Sequence, residues 1–250
     1  MYQEFALIYD AVMSEIPYDR WFEKLHACIG EYGKKAGHVC ELGCGTGEMS
    51  RRFSAAGYEV TGIDLSVDML ARAMEKRQEG QELIYVNQDM SHFSLHKPAD
   101  VVLCICDSMN YVLDHGDMLN LFRSVRANLA DDGIFVFDLK TEYCFQNILG
   151  DRVRFEDDER FSVIWENVYD QEEKLNQYLL TMFFYQEASG LYERYDECHT
   201  QRAYSIEEVN GLLRRAGLGV YACYGTDFVK APEEEDERIY FVVGKDAKDV

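Results

Sequence analysis

The first half of the chain alternates short apolar runs with segments whose apolar side chains recur at helical spacing. The apolar runs predict strands, and they cover residues 39–42, 59–63, 83–86, 100–106 and 134–139. Helical spacing covers residues 46–56, 117–129 and the stretch after Ser66, a residue type that caps helix N-termini. Strands that alternate with helices favour right-handed crossovers and a parallel sheet. The sequence therefore predicts an α/β domain, in which the almost wholly apolar run 100–106 is a central strand covered on both faces.

The pattern changes near Asp151, and helical spacing is lost as far as Tyr204. Aromatic, β-branched and apolar residues fill segments 161–169, 175–186 and 191–204, and polar or Ser-Gly turn signals separate them. This pattern predicts a meander of antiparallel strands inserted into the α/β domain.

Helical spacing then returns. Residues 205–208 match a capping box, so a helix is expected to begin there and to end at Gly217. Segments 218–224 and 239–243 resemble two final strands. We therefore divide the chain into an N-terminal segment and core at 1–150, an inserted subdomain at 151–204 and a return to the core at 205–250.

Composition narrows the function classes. The chain carries 25 Lys and Arg against 46 Asp and Glu, which gives a net charge of −21 at pH 7. This charge repels phosphate backbones and anionic membrane surfaces, so nucleic acid and membrane partners are disfavoured, whereas a neutral or cationic small molecule meets no such barrier. No apolar stretch approaches the ~20 residues that span a bilayer. The N-terminus also lacks the basic start of a signal peptide.

Cysteine and histidine spacing gives no metal or redox pattern. The 8 cysteines include no CxxC pair, and His38, His92, His96 and His115 do not form a set of metal ligands. Scattered cysteines of a cytosolic protein are most often small buried hydrophobes. We therefore expect a cytoplasmic protein of bacterial type that holds no metal and is a monomer or a homodimer.

The strongest chemical signal is the glycine-rich segment 41–47, which reads E-L-G-C-G-T-G between the first strand and the following helix. Glycines there permit positive φ and a close approach of ligand to main chain, and the helix N-terminus offers free N–H groups. The spacing differs from the G-x-G-x-x-G dinucleotide fingerprint, and no Lys follows as in a P-loop. Asp64 ends the second strand, where a carboxylate can accept hydrogen bonds from a ribose diol. The glycine-rich segment and Asp64 together predict an adenosine-containing ligand. The alternative is a tight turn with a helix-capping Asp.

These residues resemble the class I S-adenosylmethionine (SAM)-dependent methyltransferases. Segment 41–47 is similar to the family's (D/E)-x-G-x-G-x-G motif, and Asp64 to its acidic ribose ligand. Residues 88–90 resemble the adenine motif, and residues 104–111 resemble the fourth-strand motif that faces the sulfonium. Segment 129–139 resembles the fifth-strand L-x-x-G-G motif, with Asp132 in place of the first glycine. Residues 2–21 look like a group of bacterial methyltransferases that includes YqeM-like proteins.

The resemblance implies a Rossmann-like fold: a seven-stranded, mostly parallel sheet with helices on both faces, a reversed last strand and the antiparallel insertion. It implies SAM as cofactor, with S-adenosylhomocysteine as product, and a small-molecule acceptor. The implied cofactor contacts come from the N-terminal segment, the glycine turn and the ends of the strands: Tyr9, Glu41, Gly43, Cys44, Gly45, Gly47, Asp64, Leu65, Met69, Gln88, Asp89, Met90 and Cys106. For Tyr9, packing of an N-terminal helix is an equal alternative.

Methyl transfer is an in-line displacement, in which positioning alone supplies ~7–11 kcal/mol and a general base is needed only for a protonated acceptor. Ligands bind beyond the carboxyl ends of parallel strands, so Asp107 as a base and Asn110 as an orienting group are candidates, with loop-capping Asx turns as the alternative. The meander adds His199 as a second candidate base, although a lone His more often has no role. Its candidates for acceptor contact are Trp165, Tyr169 and Arg202, the last for an acidic acceptor.

Other function classes stay open at this point. An NAD-dependent oxidoreductase is disfavoured by the glycine spacing. A non-catalytic SAM-binding protein would share every cofactor motif. An RNA or protein methyltransferase would need a local basic patch, for which Lys34-Lys35 and Arg214-Arg215 are candidates.

Overall fold

A seven-stranded sheet forms the centre of the computed structural model, which describes residues 4–33 and 37–245. Its strand order is β10-β11-β5-β4-β1-β2-β3, and β11 runs antiparallel to both of its neighbours. The strands are β1 (His38–Leu42), β2 (Glu59–Asp64), β3 (Leu83–Asn87), β4 (Ala99–Cys104), β5 (Leu129–Lys140), β10 (Leu218–Tyr224) and β11 (Arg238–Lys245). This is the predicted parallel sheet with one reversed strand, so the fold class is confirmed.

Helices cover both faces of this sheet. They are α1 (Tyr9–Val12), α2 (Tyr18–Tyr32), α3 (Glu48–Ala55), α4 (Val67–Glu75), α5 (His115–Asn128) and α6 (Ile206–Ala216). One core cluster packs α5 and α6 on one face, and it includes Phe137 and Phe241, whose rings stack with centroids 4.9 Å apart. A second cluster packs α2 and α3 on the other face around the fully buried Phe53. Among the described residues, no helix is both long and apolar enough to cross a membrane.

The predicted helix ends are also confirmed. The Ser66 hydroxyl accepts a hydrogen bond from the Met69 N–H, which starts α4. Ser205 and Glu208 form the capping box that starts α6, and Gly217 ends that helix in the left-handed conformation.

The insertion is an antiparallel sheet of four strands in the order β6-β7-β8-β9. They are β6 (Val153–Asp157), β7 (Phe161–Asp170), β8 (Leu175–Gln186) and β9 (Leu191–Arg202). One face buries Val163 and Met182 against Phe5 and Ile8 of the N-terminal segment. The opposite face leaves apolar side chains such as Val168 and Tyr192 exposed. The meander therefore packs one face against the N-terminal segment, while its outer face lies open in the single chain.

Two local predictions were wrong. The sequence predicts a turn at residues 131–133 before the strand at 134–139, but β5 includes these residues. Its register with β4 jumps from Ala99↔Leu129 to Val101↔Ile134, so the Asp-Asp-Gly segment bulges from a continuous strand. The fourth strand stops at Cys104, because Cys106 and Asp107 adopt positive φ angles of 61° and 55°. The chain therefore turns sharply just where the apolar run ends.

Candidate functional site

A cavity of about 490 Å³ lies at the carboxyl ends of β1, β2 and β4. The glycine turn forms one wall of it, with φ angles of 66° at Gly43 and 52° at Gly45. A Cβ on Gly43 would lie 2.6 Å from the Ser108 hydroxyl oxygen, whereas a Cβ on Gly45 would meet no atom within 4 Å. Gly43 is therefore needed for packing, and Gly45 presents bare backbone to open space.

Asp64 is fixed beside this turn by two backbone groups. One carboxylate oxygen accepts the Gly45 N–H at 2.8 Å, and the other accepts the Ser66 N–H at 2.8 Å. Burial raises the pKa of Asp64, and these N–H groups act against that shift. Because each carboxylate oxygen has a second lone pair, the side chain can still accept two hydrogen bonds from a ligand in the cavity.

Glu41 lies deeper in the cavity wall and is 4% exposed. Its carboxyl group accepts a hydrogen bond from the Ser50 hydroxyl. Burial raises the pKa of Glu41 to about 8, and the nearby charges of Asp64 and Glu48 add to this. The side chain is therefore protonated at neutral pH until a positive charge approaches it.

Acidic side chains surround the rest of the cavity. Its described lining includes no Lys or Arg, and it carries six carboxyl groups, from Glu41, Glu48, Asp64, Asp89, Asp114 and Asp117. Glu48 is neutralised by Arg51, Arg52 and Lys76. The remaining groups favour a ligand with positive charge.

Gln88, Asp89 and Met90, the residues that resemble the adenine motif, also line the cavity. Asp89 is oriented by the Ser91 N–H, which donates to it at 2.8 Å. Cys44, Leu65, Met69 and Cys106 also line the cavity. The structure thus brings twelve of the thirteen expected cofactor residues together; the exception is Gly47, which precedes α3 and does not line the cavity.

The N-terminal segment closes one side of the cavity. Tyr9 and Tyr18 line it, and burial raises the pKa of Tyr9 well above its usual value. Asp10 accepts hydrogen bonds from the Thr46 hydroxyl and from the Lys76 ammonium group, both at 2.6 Å. Helix α1 is therefore held directly on the glycine turn.

Asp107 lies behind the cavity wall, in a buried ion cluster. It binds Lys140 at 3.0 Å and Arg238 at 2.9 Å, and Gln201 donates to it at 2.8 Å. Burial opposes its charge, but the two cations outweigh burial and lower the pKa of Asp107 to about 2. A carboxylate held in this way is a weak base, and the cavity lining does not include it.

The other proposed catalytic residues are also held in structural contacts. Asn110 is fully buried, donates to the carbonyls of Lys140 and Arg202 and accepts the Lys140 N–H. His199 is 2% exposed and lies 3.0 Å from the Glu197 carboxylate. Neither side chain lines the cavity. The Asn110 contacts join backbone groups 30 and 92 positions away, so they differ from the loop-capping Asx turn that was the alternative.

The three proposed acceptor residues are not brought together. Trp165 lines a second cavity of about 440 Å³ between the inner face of the meander and the main sheet. Tyr169 stacks on Phe145, and the Arg202 guanidinium lies over the Tyr204 ring. Neither Tyr169 nor Arg202 lines either cavity.

Several lining residues were not among the sequence candidates. They include Tyr111, Asp114 and Asp117, which follow the fourth strand. Asp114 could have been predicted as a helix N-cap, because Asp is favoured at that position, and it does cap α5. The contact between Asp10 and Lys76 has no such signal, since the residues are 66 positions apart.

Replacement of Gly45 by alanine is expected to abolish ligand binding in the cavity while the protein stays folded. The new methyl group would point into open space, so the cost to folding is backbone strain of about 1–2 kcal/mol. Gly57→Ala is the matched control, because Gly57 also has positive φ (92°) and open space but lies outside the cavity. Thermal melts and titration calorimetry with SAM should show similar destabilisation in both variants and loss of binding only in Gly45→Ala.

Comparison with known proteins gives consistent matches. A family described as "Methyltransferase domain" matches residues 39–133. "Putative methyltransferase YqeM" of Bacillus subtilis (strain 168) is 33% identical over 246 residues, which cover 98% of this chain and 97% of that protein. A crystal structure of a SAM-dependent methyltransferase from Clostridium acetobutylicum ATCC 824 is 28% identical, with a TM-score of 0.86 and 98% of both chains covered.

A more distant relative has a defined acceptor. The dTDP-3-amino-3,6-dideoxy-alpha-D-glucopyranose N,N-dimethyltransferase of Streptomyces fradiae is 28% identical over 137 residues, which cover 54% of this chain and 52% of that protein. The aligned share corresponds to about half of each chain.

Proposed function

The chain belongs to the SAM-dependent methyltransferases of the YqeM-like group, and from that premise we propose that it moves the methyl group of SAM to a nitrogen or oxygen atom of a small-molecule acceptor. The observation that carries the proposal is the cavity in which Asp64 and the bare backbone of Gly45 face the same open space.

The residues present fit this cofactor. Asp64 would accept the ribose hydroxyls, Asp89 and Met90 would hold the adenine, and the glycine turn would bind the methionine portion. Glu41 would bind the ammonium group, and the acidic lining suits a ligand with a sulfonium and an ammonium charge. When bound, SAM supplies an activated methyl group on a good leaving group.

The chain itself then has to position the acceptor and exclude water. Tyr9, Tyr18 and Tyr111 lie around Cys106 at the end of the fourth strand. Burial keeps the phenols of Tyr9 and Tyr18 neutral, because it raises the pKa of both. They can hold a hydroxyl or amine acceptor in line with the methyl group, but they do not act as anionic bases.

A small acceptor is supported by two observations. The S. fradiae relative acts on a sugar amine, as its name states. The charge of −21 also disfavours RNA. Of the candidate basic patches, Lys34-Lys35 lies outside the described residues, and Arg214-Arg215 is an exposed pair at the end of α6.

Titration calorimetry with SAM and S-adenosylhomocysteine tests the cofactor. Transfer of labelled methyl from SAM to a panel of small amines and alcohols, with tRNA and protein extracts as comparison arms, tests the acceptor class. Absence of binding at millimolar cofactor rejects the proposal. Binding without turnover on any arm favours a non-catalytic SAM-binding protein, and turnover on RNA or protein alone rejects the small-molecule acceptor.

Glu41 is expected to make the unbound protein less stable as the pH rises. Unfolded, the side chain loses its proton near pH 4.5, whereas folded it keeps the proton until about pH 8. Between these values the folded state binds more protons, so the free energy of unfolding falls with rising pH, by at most about 1.4 kcal/mol per pH unit. Glu41→Gln should remove this contribution in urea unfolding at pH 5 to 8.

The Glu41 carboxyl group should also affect the measured enthalpy of SAM binding. Formation of an ion pair with the SAM ammonium group would expel the Glu41 proton, so the observed binding enthalpy at pH 7 should depend on the ionisation enthalpy of the buffer. Glu41→Gln should lose this dependence, and the exposed Glu75→Gln should keep it. Equal buffer dependence in wild type and Glu41→Gln would contradict the assignment.

A further inference from the structure

The second cavity adjoins the first along helix α1. Tyr9 of this helix lines the first cavity, and Val12 lines the second. The ion cluster around Asp107 also lies between the two cavities. Cys106, the residue before Asp107, lines the first cavity, and Lys140, which forms an ion pair with Asp107, lines the second.

The two cavities differ in the charged residues that line them. The described lining of the first has six acidic residues and no basic one. The second is lined by four basic residues against two acidic ones: Lys140, Arg152, Arg154 and Arg238 against Glu156 and Glu237. Acidic residues outnumber basic ones by 46 to 25 in the whole chain, so a lining in which basic residues outnumber acidic ones is unusual for this protein.

Two of the four cations have guanidinium groups still available. Lys140 and Arg238 are committed to Asp107 and Asp138. Arg152 makes one long hydrogen bond, to the Asn147 carbonyl at 3.3 Å. Within residues 4–33 and 37–245, neither Arg152 nor Arg154 forms an ion pair.

Strand register explains why Arg154 faces the cavity. It lies directly opposite Trp165, and Trp165 is on the inner face of the meander with Val163. The Trp165 ring packs edge-on against Tyr178, with centroids 5.4 Å apart. The cavity thus has an aromatic floor beside two unpaired guanidinium groups, and guanidinium groups bind phosphates and carboxylates through paired N–H donors.

We propose that this second cavity binds the methyl acceptor by an anionic group, a phosphate or a carboxylate, which Arg152 and Arg154 hold while Trp165 and Tyr178 contact the body of the acceptor. The inference rests on the proposed methyl transfer. It assigns the cofactor and the anionic end of the acceptor to neighbouring spaces, so the reacting atom of the acceptor has to reach past helix α1 to the methyl group.

Anion titrations of the protein saturated with S-adenosylhomocysteine test this proposal, because the first cavity is then filled. Inorganic pyrophosphate and malonate are the probes, titrated separately by calorimetry. We expect wild type to bind at least one of them. Binding of pyrophosphate alone indicates a phosphate-bearing acceptor, and binding of malonate alone indicates a carboxylate.

The double variant Arg152→Gln/Arg154→Gln should bind the probe at least ~10-fold more weakly, since it loses hydrogen bonds between charged groups. The matched control is Arg160→Gln/Arg194→Gln, which removes the same charge from exposed positions on the same insertion, outside the cavity. All four arginines are exposed, so both variants should fold, and S-adenosylhomocysteine binding checks this.

The proposal is overturned if neither anion binds wild type, if the cavity variant binds as well as wild type, or if the control variant loses as much affinity. These results differ from a failure of the proposed function, in which S-adenosylhomocysteine itself would not bind.

Discussion

Asp64→Ala is expected to weaken binding of SAM and S-adenosylhomocysteine by ~100-fold or more. Two hydrogen bonds from ribose hydroxyls to a carboxylate contribute about 1.5–3 kcal/mol each, and both would be lost. The variant also frees the N–H groups of Gly45 and Ser66, which the carboxylate now fixes, so the glycine turn loses its support. Titration calorimetry of both ligands gives the measurement.

Asp64→Asn separates the two contributions. Its amide oxygen can still accept one backbone N–H group, so the turn is partly kept while the charged acceptor is lost. We expect an intermediate loss of affinity. Asp68→Ala, on the exposed first turn of α4, should bind like wild type. If Asp64→Ala bound either ligand with unchanged affinity, Asp64 would not be a cofactor contact.

Arg238→Met is expected to cause the largest loss of stability, about 3–5 kcal/mol, because it leaves buried carboxylates without their cation. Arg238 binds both Asp107 and Asp138, and Asp138 is fully buried. Asp107 would keep Lys140, but Asp138 would keep only the Asp107 N–H group among its described partners. A loss of this size should lower the melting temperature by about 10 °C.

A second substitution should restore much of this stability. In Arg238→Met/Asp138→Asn the buried charge is gone, and the Asn oxygen can still accept the Asp107 N–H group.

The single variant Arg238→Met should also gain stability relative to wild type as the pH falls towards 4. Burial already raises the pKa of Asp138, and without Arg238 its folded state would hold the proton to still higher pH. Arg194→Met, which breaks an exposed ion pair with Asp196, should have little effect on the melting temperature. A double variant no more stable than Arg238→Met would show that the unpaired charge is not the cause.

The features predicted correctly from the sequence are those whose physical cause is local. The glycine turn, the Ser66 cap and the capping box at Ser205 depend on residues within a few positions of one another. The strands of the parallel sheet were found because burial on both faces makes them continuously apolar. The residues implied by the family resemblance line one cavity, and their contacts with the cofactor stay a prediction.

The misplaced candidates depend on contacts between distant residues. Asp107 is a polar residue after a strand, as a catalytic group would be, but the turn at Cys106 directs it to Arg238, 131 positions away. Nothing near position 107 indicates that partner. His199 was proposed as a base, because the register that places it opposite Tyr178 on the buried face is a property of the whole insertion. Strand β6 was not singled out, since it is short, its five residues are all exposed and only Val153 and Phe155 are apolar.

The position of helix α1 has a kinetic consequence. The segment is fixed at one end by the Phe5 N–H group on Glu197 of the insertion, and at the other by Asp10 on the glycine turn. Because helix α1 borders both cavities, a single outward movement of this helix would open both of them at once. S-adenosylhomocysteine and the methylated product would then leave after the same movement of the helix. High salt weakens the ion pair between Asp10 and Lys76. It would therefore increase the turnover rate if this movement is the slowest step.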